Sequence, residues 1–184
     1  MTSLVARARA FAIAAHASVV NPDGTIGHKR KYTGEDYIVH PAEVAHIVST
    51  VPHTDEMLAA AWLHDTVEDT TATIEEVREL FGDVVADLVA DLTDVSKPTD
   101  GKRAVRKAID LAHTANASAE AQTIKCCDLI SNTKSIVAND ANFAKVYLEE
   151  KGKMLDVLTK ADPTILARAR KLYETATMDL HLSK

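Results

Sequence analysis

The sequence predicts an all-α fold, a single bundle of about eight to ten helices spanning residues 1–184. Three observations carry that expectation. Chain breakers are scarce, with 6 Gly and 5 Pro in 184 residues, so regular segments run far between short connections. Apolar residues recur at the 3.6-residue period in one segment after another. Hydrophobic residues make up 46% and charged residues 26%, the balance of an ordinary globular chain long enough to bury its own core.

Residues 4–19 read as a first helix, with Val5, Ala8, Ala12, Ala15 and Val19 on one stripe. His16 lies near that stripe and is expected as a satisfied core or rim histidine. Asn21-Pro22-Asp23-Gly24 is a turn signal and opens a long polar loop. His28-Lys29-Arg30-Lys31 within it is the one concentrated positive patch. Guanidinium and ammonium groups suit phosphates, and long loops in compact domains are often functional; a solvated charged loop is the plainer alternative. Pro41 then suits the first turn of a helix, with Glu43 near its positive end. His40 sits at the helix start, on a pre-proline residue biased to extended backbone, which is a rigid mount for a ligand. That helix runs to about Ser49, and His46 and His53 read as incidental.

Thr54-Asp55-Glu56 starts the next helix, whose apolar run 57–63 leads into His64-Asp65-Thr66-Val67-Glu68-Asp69-Thr70. On a continuous helix His64 stacks with Glu68, and Asp65 with Asp69. One imidazole and three carboxylates directly after an apolar segment point to a cation; a solvated acidic helix end is the alternative. Thr73 is placed to cap the following helix, with Glu76 completing a capping box, and Phe81-Gly82 ends it. Val84, Val85, Leu88, Val89 and Leu92 mark another helix. The loop 93–101, with Pro98 and Gly101, is a candidate lid. Helices follow at 104–114 and 119–133. In the second, Asp128 and Asn132 lie four apart on one face of an otherwise apolar segment. A carboxylate there needs either hydrogen-bond partners or a metal. The segment 142–159 is expected to pack through Phe143, Val146, Tyr147, Met154, Leu155 and Leu158. Asp162-Pro163 caps a last helix to about Leu180, so that 142–184 supplies C-terminal packing helices. Lys145 and Tyr147 could reach a site mouth from there.

The charge balance narrows the partners. A net charge of −6 argues against nucleic acid, so an anionic small-molecule substrate needs the local basic patch or a metal. The two cysteines, Cys126 and Cys127, are adjacent; they make a poor staple and offer no CxxC spacing, which fits a reducing cytoplasm. No apolar run approaches the ~18 residues of a membrane span. No signal-peptide pattern follows Arg7 and Arg9. The long C-terminal helices could pack on the domain or on a second copy, leaving a homo-oligomer open.

The assembled order is His40, then His64-Asp65, then Asp128, which resembles the HD-domain superfamily of metal-dependent phosphohydrolases. Tyr37-Ile38-Val39-His40-Pro41, Leu63-His64-Asp65-Thr66-Val67-Glu68-Asp69-Thr70 and Phe81-Gly82-Asp83-Val84-Val85 resemble the hydrolase domain of the RelA/SpoT alarmone enzymes, over about residues 4–136. The chain is similar to the stand-alone small alarmone hydrolases of that group. The resemblance implies one divalent ion, usually Mn²⁺, held by His40, His64, Asp65 and Asp128. It implies release of pyrophosphate from the 3′ position of (p)ppGpp, with Glu68 and Asp69 activating or positioning the water. It also places Arg30, Lys31 and Asn132 near the nucleotide. Two imidazoles and two carboxylates leave open positions on a six-coordinate ion, which suits Mn²⁺ better than closed tetrahedral zinc. Two positions depart from the family pattern. Leu129 stands where the family usually carries a basic residue after the last Asp, and Lys134 where it carries Arg. Adenosine alarmones, a phosphate of NADPH and a non-catalytic alarmone-binding module therefore stand as alternatives.

Overall fold

The structure, a computed structural model, describes residues 2–182. Among the described residues there are ten α-helices, one 3-10 turn and no strand beyond two isolated bridges, Val20 with Ile26 and Lys29 with Asp36. The all-α class is as expected. The chain divides into two compact units, Met1–Thr93 and Asp94–Lys184.

The first unit contains α1 (Leu4–Ala17), α2 (Val39–Val48), α3 (Asp55–Leu63), α4 (Thr66–Asp69), α5 (Ile74–Phe81) and α6 (Asp83–Leu92). At its centre α3 packs against α1, α2 and α6. The reason is its sequence: Ala59, Ala60, Ala61 and Leu63 are fully buried, and three small side chains in a row let helices approach from several sides. Polar caps fix where helices begin. Ser3, Thr54 and Thr73 each accept a backbone N–H three residues on. Gly82, at φ 89°, turns the chain from α5 into α6 through a backbone region closed to other residues. On α6 Val85, Ala86, Leu88, Val89 and Leu92 are buried, but Val84 faces solvent.

The second unit contains the 3-10 turn (Pro98–Asp100), α7 (Arg103–Asn116), α8 (Ala119–Asn139), α9 (Ala141–Val157) and α10 (Pro163–Leu182). Its axis is α8, which continues two turns past the expected end at Thr133 and is packed by α9 and α10. Buried polar groups tie the connections down. Asp110 accepts from Val95 N, Ser96 N and Ser96 Oγ, which fastens the start of the 94–101 loop. Gln122 donates to the carbonyls of Thr114 and Ala115 and accepts from Lys160 N. Asp162 caps α10 by accepting from Thr164 N and Ile165 N.

The packing face of α9 matches the expected one in part: Leu155 and, just past the helix, Leu158 are buried. Within the helix the buried residues are Ala144, Leu148, Lys151 and Leu155, while Val146 is exposed. This stripe has the right helical spacing, but a lysine interrupts it, so it does not stand out by hydropathy. Lys151 is 1% exposed. Its Nζ donates to Thr133 Oγ1 at 2.6 Å and approaches the Leu129 carbonyl at 3.5 Å. Burial pulls its ammonium from 10.5 down to about 8, against the opposing pull of Cys126 and Asp128. The unfolded chain therefore binds one more proton than the folded chain between those values. The cost to stability is full below pH 8 and fades as pH rises towards 10.5. We expect the unfolding free energy of the wild type, minus that of Lys151→Met, to rise by about 3 kcal/mol across that window. Chemical denaturation of both proteins at several pH values measures it. Burial raises the thiols of Cys126 and Cys127 and keeps both protonated in the folded chain through this window, even at Cys126, where the Lys151 charge partly opposes it, so their contribution is common to the two proteins.

Candidate metal centre

The densest chemistry lies in the first unit, where α2, α3 and α4 meet. Here the helix expected to continue through His64 and Asp65 is broken. α3 ends at Leu63, His64 follows as its C-cap, and α4 starts at Thr66. Side chains take over carbonyls at the break: His64 Nδ1 donates to Ala61 O at 2.9 Å and Thr66 Oγ1 to Leu63 O at 2.7 Å. The consequence is functional. On a continuous helix neighbouring residues point about 100° apart. With the helix broken, His64 Nε2 and Asp65 Oδ2 come within 3.1 Å of each other. His64 thus converges with its own neighbour in sequence. Asp69 N still bonds Asp65 O at 3.0 Å, so one helical turn joins those two residues.

His40 comes from the first turn of α2 with Pro41 directly after it; it lies within the helix, which starts at Val39, and not on the extended backbone expected before a proline. Its Nε2 lies 3.3 Å from His64 Nε2 and 3.5 Å from Asp65 Oδ2. Both imidazoles are 2% exposed. His40, His64 and Asp65 thus offer three ligand atoms within 4.8 Å of one another. The donor chemistry fits a divalent ion. With Nδ1–H of His64 committed to a carbonyl, its Nε2 carries the lone pair. Two imidazole nitrogens and a carboxylate oxygen then face one point, where a cation converts their mutual repulsion into attraction. Burial alone would raise the Asp65 carboxyl. Positive charge on His64 foremost, then on His40, together with the Tyr37 hydroxyl, outweighs burial and holds it well below the usual carboxylate range; a bound cation would supply that charge in place of the imidazole protons. Asp69 is raised instead, by burial and by the Asp65 charge.

The remaining predicted residues fall in both units. In the first unit, Glu68 and Asp69 lie on α4, both exposed at the surface. Arg30 is half-buried, its guanidinium 5.7 Å from the Tyr37 ring centre, and Lys31 is exposed with Nζ 5.0 Å from the Tyr32 ring. The second unit carries Asp128, Asn132, Lys145 and Tyr147. Asp128 is buried on α8, accepts from Asn132 Nδ2 at 2.6 Å and lies 3.3 Å from Lys125 Nζ. The Tyr147 hydroxyl is engaged with Thr133 Oγ1 and the Leu129 carbonyl, and Lys145 is exposed.

Sequence reasoning does not single out Tyr37, whose hydroxyl donates to Asp65 Oδ2 at 2.6 Å. Its position three residues before His40 is the available signal, because that spacing puts both side chains on one side of the chain as it enters α2.

The HD domain family model matches residues 8–135, more than two-thirds of the chain. The chain belongs to the HD-domain family. HD domains are metal-dependent, which agrees with the His-His-Asp group. Over 71 residues, 39% of its length, this HD protein is 45% identical to guanosine-3′,5′-bis(diphosphate) 3′-pyrophosphohydrolase of Aquifex aeolicus (strain VF5). Over 94 residues, 51% of its length, it is 39% identical to the probable enzyme of the same name from Synechocystis sp. (strain ATCC 27184 / PCC 6803 / Kazusa). The matched stretches cover 10% and 11% of those relatives, so the chain spans about a tenth of their length. Among solved structures, a metazoan SpoT orthologue described as hydrolysing ppGpp superposes with a TM-score of 0.81. The match covers 95% of this chain and 96% of that one at 24% identity, and shows a shared fold. A Listeria monocytogenes EGD-e protein superposes with a TM-score of 0.64 at 26% identity, over 78% of this HD protein and 97% of its own chain.

Proposed function

We propose that this HD domain hydrolyses the 3′-pyrophosphate of nucleotide alarmones, converting (p)ppGpp to GTP or GDP and pyrophosphate, with one Mn²⁺ ion as cofactor. The observation that carries the proposal is the convergence of His40, His64 and Asp65 in a chain 45% identical over 71 residues to an enzyme named for that reaction. These three residues would hold the ion, and the family resemblance adds Asp128 as the fourth ligand. A bound divalent ion lowers the pKa of water and polarises the attacked phosphoryl group. Glu68 accepts the proton of the attacking water, and Asp69 orients that water. Arg30 and Lys31 offset the charge of the pyrophosphate. Asn132, donating to Asp128 Oδ1, keeps that carboxylate oriented, and Lys145 and Tyr147 complete the proposed substrate contacts.

The reading takes residues 1–184 as one HD domain, with α9 and α10 as C-terminal packing helices. The family match, which runs across both units, supports it. No helix among the described residues is long and apolar enough to cross a membrane. A cytoplasmic setting belongs to the proposal and is supported by two buried free thiols, Cys126 and Cys127.

The test is to incubate the purified chain and Mn²⁺ with guanosine and adenosine 3′-pyrophosphate alarmones and with 2′- and 3′-phosphorylated cofactors. Pyrophosphate and phosphate are followed separately. Pyrophosphate release from the guanosine compounds is the expected result. Phosphate alone, released from a monoester, makes the protein a phosphatase instead. Metal binding with no release from any compound makes it a binding module.

A further inference from the structure

We propose that Tyr37 is a positioning residue for Asp65, and that His16 and His28 hold Tyr37 in the place this role requires. The inference rests on the reading of His40, His64 and Asp65 as a metal centre. The Tyr37 hydroxyl donates at 2.6 Å to Asp65 Oδ2, the same oxygen that lies 3.1 Å from His64 Nε2 and 3.5 Å from His40 Nε2. A carboxylate oxygen has two lone pairs. A hydrogen bond on one of them fixes the direction of the other, which faces the two imidazoles. Tyr37 thereby orients a metal ligand, and the same hydroxyl also hydrogen-bonds the Asp69 carboxylate and lowers its pKa.

What holds Tyr37 is a stack of rings. His28 lies parallel to it, with centroids 3.8 Å apart and planes 7° apart, and His16 packs at 4.8 Å. His16 and His28 meet through their Nδ1 atoms at 3.2 Å. The backbone repeats the link, since His28 N donates to His16 O and Tyr37 N to His28 O, both at 2.9 Å. The base of the basic loop is thus fastened to the end of α1 on one side and to Tyr37 on the other.

His16 is not a satisfied core histidine. It is 2% exposed, and its Nε2 has no hydrogen-bond partner. Burial, opposed mainly by Asp65, lowers it to about 4 and keeps it neutral at neutral pH. An unpaired lone pair is cheaper to bury than an unpaired N–H. That places the proton on Nδ1, donated to His28. A leucine or phenylalanine would fill the space with no orphaned nitrogen, so the bond to His28 is what the imidazole adds. A solvent-open cleft of about 260 Å³ lies beside the stack, lined by His16, His28, Tyr37, Ile13, Ile26 and Ile38 among others.

The experiment is Mn²⁺ titration calorimetry on the metal-free full chain, alongside its thermal unfolding. Tyr37→Phe keeps the ring and loses the hydroxyl. It is expected to bind Mn²⁺ about 10–100-fold more weakly while still folding, with a lower metal-free Tm from the lost hydrogen bond to Asp65. His16→Leu is expected to weaken binding severalfold in the wild-type background and not at all in the Tyr37→Phe background, since no hydroxyl remains to position. His16→Gln, which can still donate to His28, is expected to restore affinity and covers the case in which the leucine variant fails to fold. Wild-type affinity in Tyr37→Phe overturns the inference. Additive losses in the double variant, or a folded glutamine variant without rescue, overturn the part assigned to His16. A wild-type chain that binds no Mn²⁺ overturns the metal-centre reading and this inference with it, which separates the two failures.

Discussion

Asp65→Asn is expected to lose Mn²⁺ binding and pyrophosphate release together, while still folding. The carboxamide has nearly the shape of the carboxylate, so packing at the break between α3 and α4 survives. What disappears is the single negative charge among the converging atoms. That charge is well suited to its task, because Asp65 stays ionised despite burial through His64, His40 and Tyr37. His64→Ala is the companion variant. It removes one of three ligand atoms that lie within 4.8 Å and also frees the Ala61 carbonyl that His64 Nδ1 engages. Either loss should exceed the roughly 10–100-fold typical of groups one step removed from a metal, which leaves no measurable turnover. Metal content of the purified variants, measured with their thermal unfolding, checks both effects. A folded Asp65→Asn protein with wild-type metal content and turnover would end the assignment.

The parts of this site that are legible in the sequence are those set by local chemistry. His40 before Pro41 and the pair His64-Asp65 after an apolar run announce themselves by position. The helices around them are legible too, because scarce breakers and polar caps such as Thr54 and Thr73 mark their ends. What is not legible depends on tertiary contact or on local competition for carbonyls. The break at Leu63 arises because His64 and Thr66 side chains capture carbonyls of α3, and no periodicity reports that. The bond from Tyr37 to Asp65 spans 28 residues, and the His16–His28 pair closes across the hairpin turn between them. Lys151 shows the reverse case. A charged residue in a buried stripe is read as a surface position, and only its bond to Thr133 shows that it can be accommodated inside.

The sharpest separation of binding from chemistry comes from Glu68→Gln. Glu68 is exposed on α4, one turn beyond the converging ligands, and is not among the three atoms that meet. Its removal therefore leaves the ligand set intact, and the variant is expected to bind Mn²⁺ as the wild type does. Turnover is another matter. A glutamine amide has the size and reach of the carboxylate but cannot take a proton from water, so the step assigned to Glu68 fails. General acid–base groups typically contribute about 10²–10⁴-fold, and kcat is expected to fall by that amount with little change in KM. The split matters because a loss of substrate affinity would instead raise KM. The neighbouring Asp69, surface-exposed but raised by partial burial of its carboxyl and by the Asp65 charge, is near enough in sequence and chemistry to substitute. Asp69→Asn in the Glu68→Gln background tests this: a further fall shows that Asp69 carries the residual rate. Unchanged kcat in the single variant would remove Glu68 from the mechanism and make Asp69 the proton acceptor.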